Sequence, residues 1–113
     1  CVTDDIIHDS NQGERRLGKD RFKAFCARMS HHYKEELRDI VVMANADGTR
    51  AAAEFNVHGK YLVGETGLPE AKGQTYRLPG AIFFALRDGR IARVTTYYNL
   101  TDWLVQVTGE DAA

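Results

Sequence analysis

The pattern that most limits the possible folds of this chain lies in its last third. Two segments rich in aromatic and β-branched residues, 80–86 and 91–100, are separated by a turn at 87–90 with the sequence Arg-Asp-Gly-Arg. Asp-Gly between two such segments is a strong signal for a β-hairpin. A third segment, 73–78, precedes them. Together the three predict a long, curved antiparallel meander, a shape that can wrap around a pocket.

Length, composition and charge restrict the class of protein. The chain has 113 residues, of which 43% are hydrophobic and 27% charged, an ordinary globular composition. We therefore expect residues 1–113 to form a single domain with one core. Fifteen basic and sixteen acidic residues leave a net charge of -1. This balance argues against nucleic acid or an anionic membrane as partner.

Cysteine usage and hydropathy bear on the compartment. Cys1 and Cys26 are too few for a disulfide framework, and Cys26 falls on the apolar face of a predicted helix, where we expect a small buried hydrophobe. The sequence has no apolar run near the ~20 residues of a transmembrane helix and no signal-peptide pattern. These features predict a protein of the reducing cytoplasm that is neither exported nor embedded in a membrane.

Periodicity predicts a helix in the first third of the chain. Apolar residues recur at spacings of three and four between Lys19 and Tyr33, which is typical of a helix with one buried stripe. A short strand at 6–9 precedes this helix, and a turn at 10–13 ends that strand.

Four further strands are predicted at about 36–46, 50–63, 74–87 and 90–99. The first two are joined by Asp47-Gly48, another hairpin signal. Thr101 is the expected N-cap of a short closing helix. An order of strand, helix, four strands and helical tail indicates an α+β fold with the helix packed on one face of a bent sheet.

Three parts of the sequence carry a family resemblance: segment 3–9 (Thr-Asp-Asp-Ile-Ile-His-Asp) with Gly13 and Gly18 after it, segment 73–76, and the stretch from 88–91 to 97–100. In these parts the chain resembles the nuclear transport factor two-like superfamily, specifically its ketosteroid isomerase-related and SnoaL-like (polyketide cyclase-like) branch. The resemblance implies a cone-shaped, curved antiparallel sheet packed on helices, a cystatin-like α+β barrel. Members usually begin with an amphipathic helix, and we expect that N-terminal helix to be missing here, because the sequence opens on the first strand.

The resemblance also implies where a site would lie. The proton-shuttling aspartate of ketosteroid isomerases corresponds to Ser10, and their protonated acid falls near Ile82. The polar residues of limonene epoxide hydrolase, another relative, correspond to five positions here: Asn56, Glu54, Thr96, His8 and Ser10. Neither catalytic set is retained, but the hydrolase positions remain polar, which favours a wet pocket over a dry core.

The expected pocket combines polar groups from several strands with apolar walls. Its polar members are His8, Ser10, Glu54, Asn56, His58, Thr96 and Tyr98. Its walls are Phe22, Phe25, Met29, Ile82 and Phe84. Apolar walls with a few directed polar groups suit a small hydrophobic molecule.

The predicted catalytic residues are His8, Asp9 and Glu54. Imidazole titrates near neutral pH, and a neighbouring carboxylate would fix its tautomer and raise its basicity. Three alternatives stay open. His8 could be a strand-end histidine bonded to backbone, Asp9 points outward by simple alternation, and Glu54 could lie on a solvent-exposed convex face.

The sequence gives no reason to expect a metal or a cofactor. His31 and His32 are adjacent on a helix, so their side chains diverge by ~100°, and no metal-ligand spacing accompanies them. The sequence also lacks a Gly-rich phosphate loop and a nucleophile elbow.

Two functional hypotheses follow. The first is a cofactor-free enzyme of the isomerase, cyclase or hydrolase type that uses general acid-base catalysis on a small hydrophobic molecule. The second is a non-catalytic small-ligand-binding or homodimerisation module of the same fold. A homodimer is expected under both, because enzymes of this family commonly dimerise through the sheet.

Overall fold

The computed structural model describes residues 1–109 and contains a six-stranded sheet with two helices. The strands are β1 (Val2–Ser10), β2 (Arg15–Leu17), β3 (Tyr33–Ala44), β4 (Arg50–Tyr61), β5 (Thr75–Arg87) and β6 (Arg90–Tyr98). The helices are α1 (Lys19–His32) and α2 (Leu100–Thr108). The predicted α+β class is confirmed.

The sheet is curved, and its strand order is β2-β1-β6-β5-β4-β3. It differs from the expected antiparallel barrel in two respects, because β1 runs parallel to β6 and the sheet stays open. The path of the chain explains the parallel pair. Helix α1 carries the chain from β2 to the far edge, and the antiparallel meander β3-β4-β5-β6 then returns until its last strand lies beside β1.

Local sequence signals account for most of the strand boundaries. The predicted hairpin at Asp47-Gly48 joins β3 to β4, and Gly48 has the positive φ of 72° that such turns require. A bulge interrupts β3 between Arg38 and Val41, where Asp39 has a φ of 56°. The three-residue strand β2 is too short to produce a periodic pattern, and the sequence did not predict it.

Both helices pack on the same side of the sheet, which we call the inner face. The main core lies there, formed by Tyr33, Tyr61, Tyr76, Leu78, Trp103 and Val107. The ring of Trp103 in α2 meets Tyr61 edge-on at 5.1 Å between centroids. Over β3 the inner face is less covered, since Leu37 and Val42 are 44% and 69% exposed. No helix within residues 1–109 is long and apolar enough to span a bilayer.

Two local predictions about the helices are wrong. Asn99, not Thr101, caps α2, because β6 ends at Tyr98 and the Asn99 side chain accepts a hydrogen bond from the backbone N–H of Asp102 at 3.0 Å. Cys26 is exposed rather than buried. Helix α1 faces the sheet with a narrow stripe that half-buries Phe22 and Phe25, and Cys26 lies outside it.

Candidate functional site

His8 is the most enclosed titratable side chain on the inner face near α1. His8 is 3% exposed. The centroid of its ring lies 4.6 Å from the Phe25 ring centroid and 5.5 Å from the Phe22 ring centroid. Alternation along β1 turns Ile6 and His8 toward α1, which supplies both phenylalanines. Within residues 1–109 the His8 Nδ1 atom has no hydrogen-bond partner. A buried polar atom without a partner is costly, and such atoms are candidates for a ligand contact.

The surroundings of His8 favour its neutral form. Burial lowers its pKa, and the nearby Arg16 charge lowers it further, while the carboxylates of Asp9 and Glu14 act in the opposite direction. A neutral imidazole has one nitrogen that can accept a proton. At neutral pH the His8 imidazole is therefore neutral.

Arg16 is a site residue that the sequence reasoning missed. In the β1-β2 pairing it lies directly opposite His8, and its side chain is 16% exposed. Its guanidinium carbon is 4.3 Å from the centre of the Phe25 ring, a cation-π arrangement, and it forms an ion pair with Glu14. The observed register leaves residues 10–14 as the loop, so a hairpin built on the predicted turn at 10–13 would have paired His8 with Arg15, one residue away from the true partner.

Hydroxyl groups share the inner face with His8. Ser10 pairs with Thr96, and Tyr98 follows two residues later on β6. The Ser10 hydroxyl accepts a hydrogen bond from the backbone of Gln12 at 3.1 Å. Burial raises the pKa of Tyr98, and Glu14 contributes to the same shift, which keeps the phenol protonated.

Apolar side chains continue this face next to His8. Phe84 pairs with Val94, which in turn pairs with His8, and Ile82 pairs with Thr96. Phe84 and Ile82 are both half-buried. Met29, another expected wall residue, packs instead against the aromatic core at the opposite end of α1.

Glu54, Asn56 and His58 do not converge with His8, so the prediction of one shared pocket is wrong. Phe55, between the first two, is 6% exposed on the inner face, which turns its neighbours to the outer face. Glu54 and Asn56 contribute instead to an outer-face groove of about 660 Å³. There the Asn56 amide donates a hydrogen bond to Asp39 at 3.0 Å. The alternation along β4 was predicted correctly, but the polar residues were expected on the inner face, which Phe55 occupies instead.

Asp9 also faces outward, as simple alternation along β1 predicts. Its two carboxylate oxygens accept hydrogen bonds from Arg15 at 2.7 and 3.0 Å, and Arg93 lies 3.9 Å away. The Arg15 hydrogen bond is the main cause of a lowered pKa for Asp9. Asp9 is therefore an ion-paired carboxylate on the other side of the sheet from the His8 ring.

His8, Arg16, Phe22 and Phe25 on the inner face provide the functional groups that proton transfer at carbon requires. A neutral imidazole can take a proton, and a guanidinium can stabilise a negative oxygen that develops beside it. The phenylalanines would hold an apolar substrate and exclude water from the reacting atoms. Within residues 1–109, no group of three or more His, Cys, Asp or Glu side chains is placed to hold a metal ion.

Comparisons with known proteins agree on one family. The model of the SnoaL-like domain matches residues 1–94. A candidate polyketide cyclase from Pseudomonas putida KT2440 is 61% identical, with 94% of this chain and 80% of that chain covered and a TM-score of 0.92. A second, from Xanthomonas campestris, is 55% identical, with 94% and 78% covered and a TM-score of 0.89.

A more distant solved structure shares the fold alone. An LEH-like epoxide hydrolase from M. tuberculosis is 17% identical, with 96% of this chain and 69% of that chain covered and a TM-score of 0.71. No curated protein is similar enough to count as a match. The family resemblance seen in the sequence is confirmed.

Proposed function

Because the chain belongs to the SnoaL-like domain family, we propose that it is an enzyme of the cyclase or isomerase type that moves a proton on a small hydrophobic carbonyl compound. His8 is the general base in this proposal, and Arg16 stabilises the oxygen anion of the enolate. Asp9 and Glu54 have no catalytic role in it, since both face the outer side of the sheet.

One observation carries the proposal: His8 is buried, with 3% of the residue exposed, yet its Nδ1 atom has no hydrogen-bond partner within residues 1–109. A histidine with a structural role normally has its nitrogens hydrogen-bonded when buried. The His8 ring lies beside the rings of Phe22 and Phe25, and Arg16 is opposite in the strand pair, so we take a ligand atom as the partner of Nδ1.

The proposed reaction follows from these side chains. The neutral His8 imidazole takes a proton from the carbon next to the substrate carbonyl, and negative charge moves onto the carbonyl oxygen. Arg16 lies opposite His8 in the strand pair and provides the positive charge that stabilises this oxygen. The imidazolium then returns the proton, either to another carbon, which gives isomerisation, or to the oxygen formed when the enolate attacks a second carbonyl, which gives cyclisation.

The test is deuterium uptake from D2O at the carbon between the carbonyls of an aryl β-keto ester, followed by proton NMR. We expect the wild-type protein to accelerate uptake above the buffer rate. His8→Gln should lower the protein-dependent rate by 10²-fold or more, the usual contribution of a general base. Arg16→Gln should lower it about tenfold or more, since it removes a charge that acts on the transition state.

Two control variants keep this test specific. His31→Gln removes an exposed imidazole at the end of α1, and Glu54→Gln removes the outer-face carboxylate. Both should retain the wild-type rate. Folded His8→Gln protein with full activity, or a strong loss in Glu54→Gln, would contradict the proposed assignment.

A second candidate function, homodimerisation, is supported by the outer face. Val41, Met43, Phe83 and Tyr97 project there and are 46–53% exposed, and the Phe83 and Tyr97 rings meet edge-on at 5.4 Å. Between the two pairs of residues lie Ala52 and the exposed Glu54 of β4. An exposed apolar patch of this kind commonly marks an association surface. We propose that two copies pair through this patch, which leaves the His8 side of each sheet free.

A further inference from the structure

A cluster of basic side chains lies on the outer face, at the end of the sheet away from that apolar patch. Lys34 of β3 and Lys60 of β4 are directly opposite each other in the antiparallel pair. Two residues along, His58 of β4 is opposite Arg77 of β5. Lys34, Lys60 and Arg77 are all exposed. We call these three residues the basic cluster.

The basic cluster lacks direct ion pairs with the described part of the protein. None of its three members forms an ion pair within residues 1–109. The outer-face carboxylate of Glu36, two residues along β3 from Lys34, forms an ion pair with Arg38 at 3.1 Å. Like charges directly opposite each other in a sheet are destabilising. The arrangement therefore costs stability unless something else binds there.

Glu35 does not compensate for this charge, although it follows Lys34 in the chain. It faces the inner side and accepts a hydrogen bond from the Tyr76 hydroxyl at 2.6 Å. The Tyr76 ring covers Gly59, where a Cβ atom would come within 2.2 Å of the ring. Glu35 also lines the groove beside the basic cluster, but its carboxylate is engaged with the Tyr76 hydroxyl.

The cluster borders a groove with a fixed shape. The groove has a volume of about 600 Å³. Its lining includes the three members of the basic cluster together with Arg38, His58 and Gln106, and also the acidic residues Glu35 and Glu36. Gln106 of α2 bonds both the N–H and the C=O of Arg77 at 2.8 Å, in the manner of a neighbouring strand. The backbone beneath the cluster is therefore held in place, while the long side chains can close on a ligand.

We propose that this groove binds the phosphate group of a small molecule. The Cβ atoms of residues opposite each other in a sheet are about 5 Å apart, and two residues along a strand span about 7 Å. Three flexible cations so spaced can converge on one tetrahedral anion. A dianionic phosphate neutralises more of this charge than a carboxylate does. The groove lies across the sheet from His8 and does not depend on the proposed reaction.

Titration with inorganic phosphate at constant ionic strength, followed by ¹⁵N-¹H NMR, tests the proposal. We expect saturable shifts at the amides of Lys34, Lys60 and Arg77, with acetate at least tenfold weaker. The double variant Lys34→Ser/Lys60→Ser should lose at least tenfold in affinity. The matched control, Lys23→Ser, removes an exposed lysine of α1 and should bind as the wild type does.

Melting temperatures give a second readout and check folding. Phosphate should raise the melting temperature of the wild type and of Lys23→Ser, but not that of the double variant. In chloride alone the single variant Lys60→Gln should melt no lower than the wild type, because it relieves repulsion. Absence of saturable shifts, equal phosphate affinity in the double variant, or equal acetate affinity would overturn the proposal.

Discussion

Burial decides what His8 can do. An exposed histidine would change its charge near pH 6.5, but this ring is packed between two phenylalanines and faces the Arg16 charge, so its pKa is lowered. The burial that keeps the His8 imidazole neutral also makes its protonation in acid unfavourable. The folded protein must lose stability when the ring is forced to accept a proton.

This coupling predicts a measurable pH dependence. With the folded-state pKa below the unfolded value of about 6.5, the unfolded chain binds more protons in mild acid, so stability is complete above pH 6.5 and falls as the pH drops toward the folded-state pKa. Urea unfolding of the wild type should show a free energy that declines by up to about 1.4 kcal/mol per pH unit more steeply than in His8→Gln between pH 6.5 and 5. Parallel curves for the two proteins would show that His8 is not shielded in solution.

At the scale of secondary-structure elements, the N-terminus of α2 offers a clean comparison. Asn99 makes the capping hydrogen bond, while Thr101 is the second residue of the helix and is exposed. Asn99→Ala should cost about 1 kcal/mol of unfolding free energy, the usual value of an N-cap, whereas Thr101→Ala should change it by less than about 0.5 kcal/mol. Chemical denaturation of both variants decides the matter, and a larger loss in Thr101→Ala would place the cap where the sequence suggested.

Some of the secondary-structure elements could be predicted from the sequence, and others could not. Periodicity and the Asp-Gly turns predict α1 and the meander, because these signals are local. The inward side of β4 is not a local property. Alternation separates Phe55 from Glu54 and Asn56, but which set meets the helices depends on the packing of Trp103 and Tyr61, and on the path of the whole sheet. The Arg16 position was missed for a related reason, since it depends on a hairpin partner rather than on a pattern within β2.

For the whole molecule, the sheet divides the proposed functions between its two faces. The inner face holds His8 and Arg16, whereas the outer face has an apolar patch at one end and the basic cluster at the other. A stable dimer formed through the patch would need to bury about 1,200–2,000 Å², the range of ordinary stable interfaces.

Light scattering coupled to size exclusion tests the dimer. The wild type should elute with twice the mass of one chain, and Phe83→Asp should be monomeric because it puts a charge into the apolar patch. Leu62→Asp is the matched control, since Leu62 is similarly exposed at 44% but lies beyond β4. A monomeric wild type, or a Phe83→Asp dimer of unchanged affinity, would contradict the assignment.

The central claim is that the neutral imidazole of His8 removes a proton from a bound carbonyl compound. The most direct measurement is the pH dependence of protein-catalysed deuterium uptake into the β-keto ester. The rate should rise with pH through a single inflection below pH 6.5, at the same pKa that NMR finds for the His8 ring, and this inflection should disappear in His8→Gln. A profile without an inflection in the wild type, or an inflection that persists in the variant, would contradict the claim.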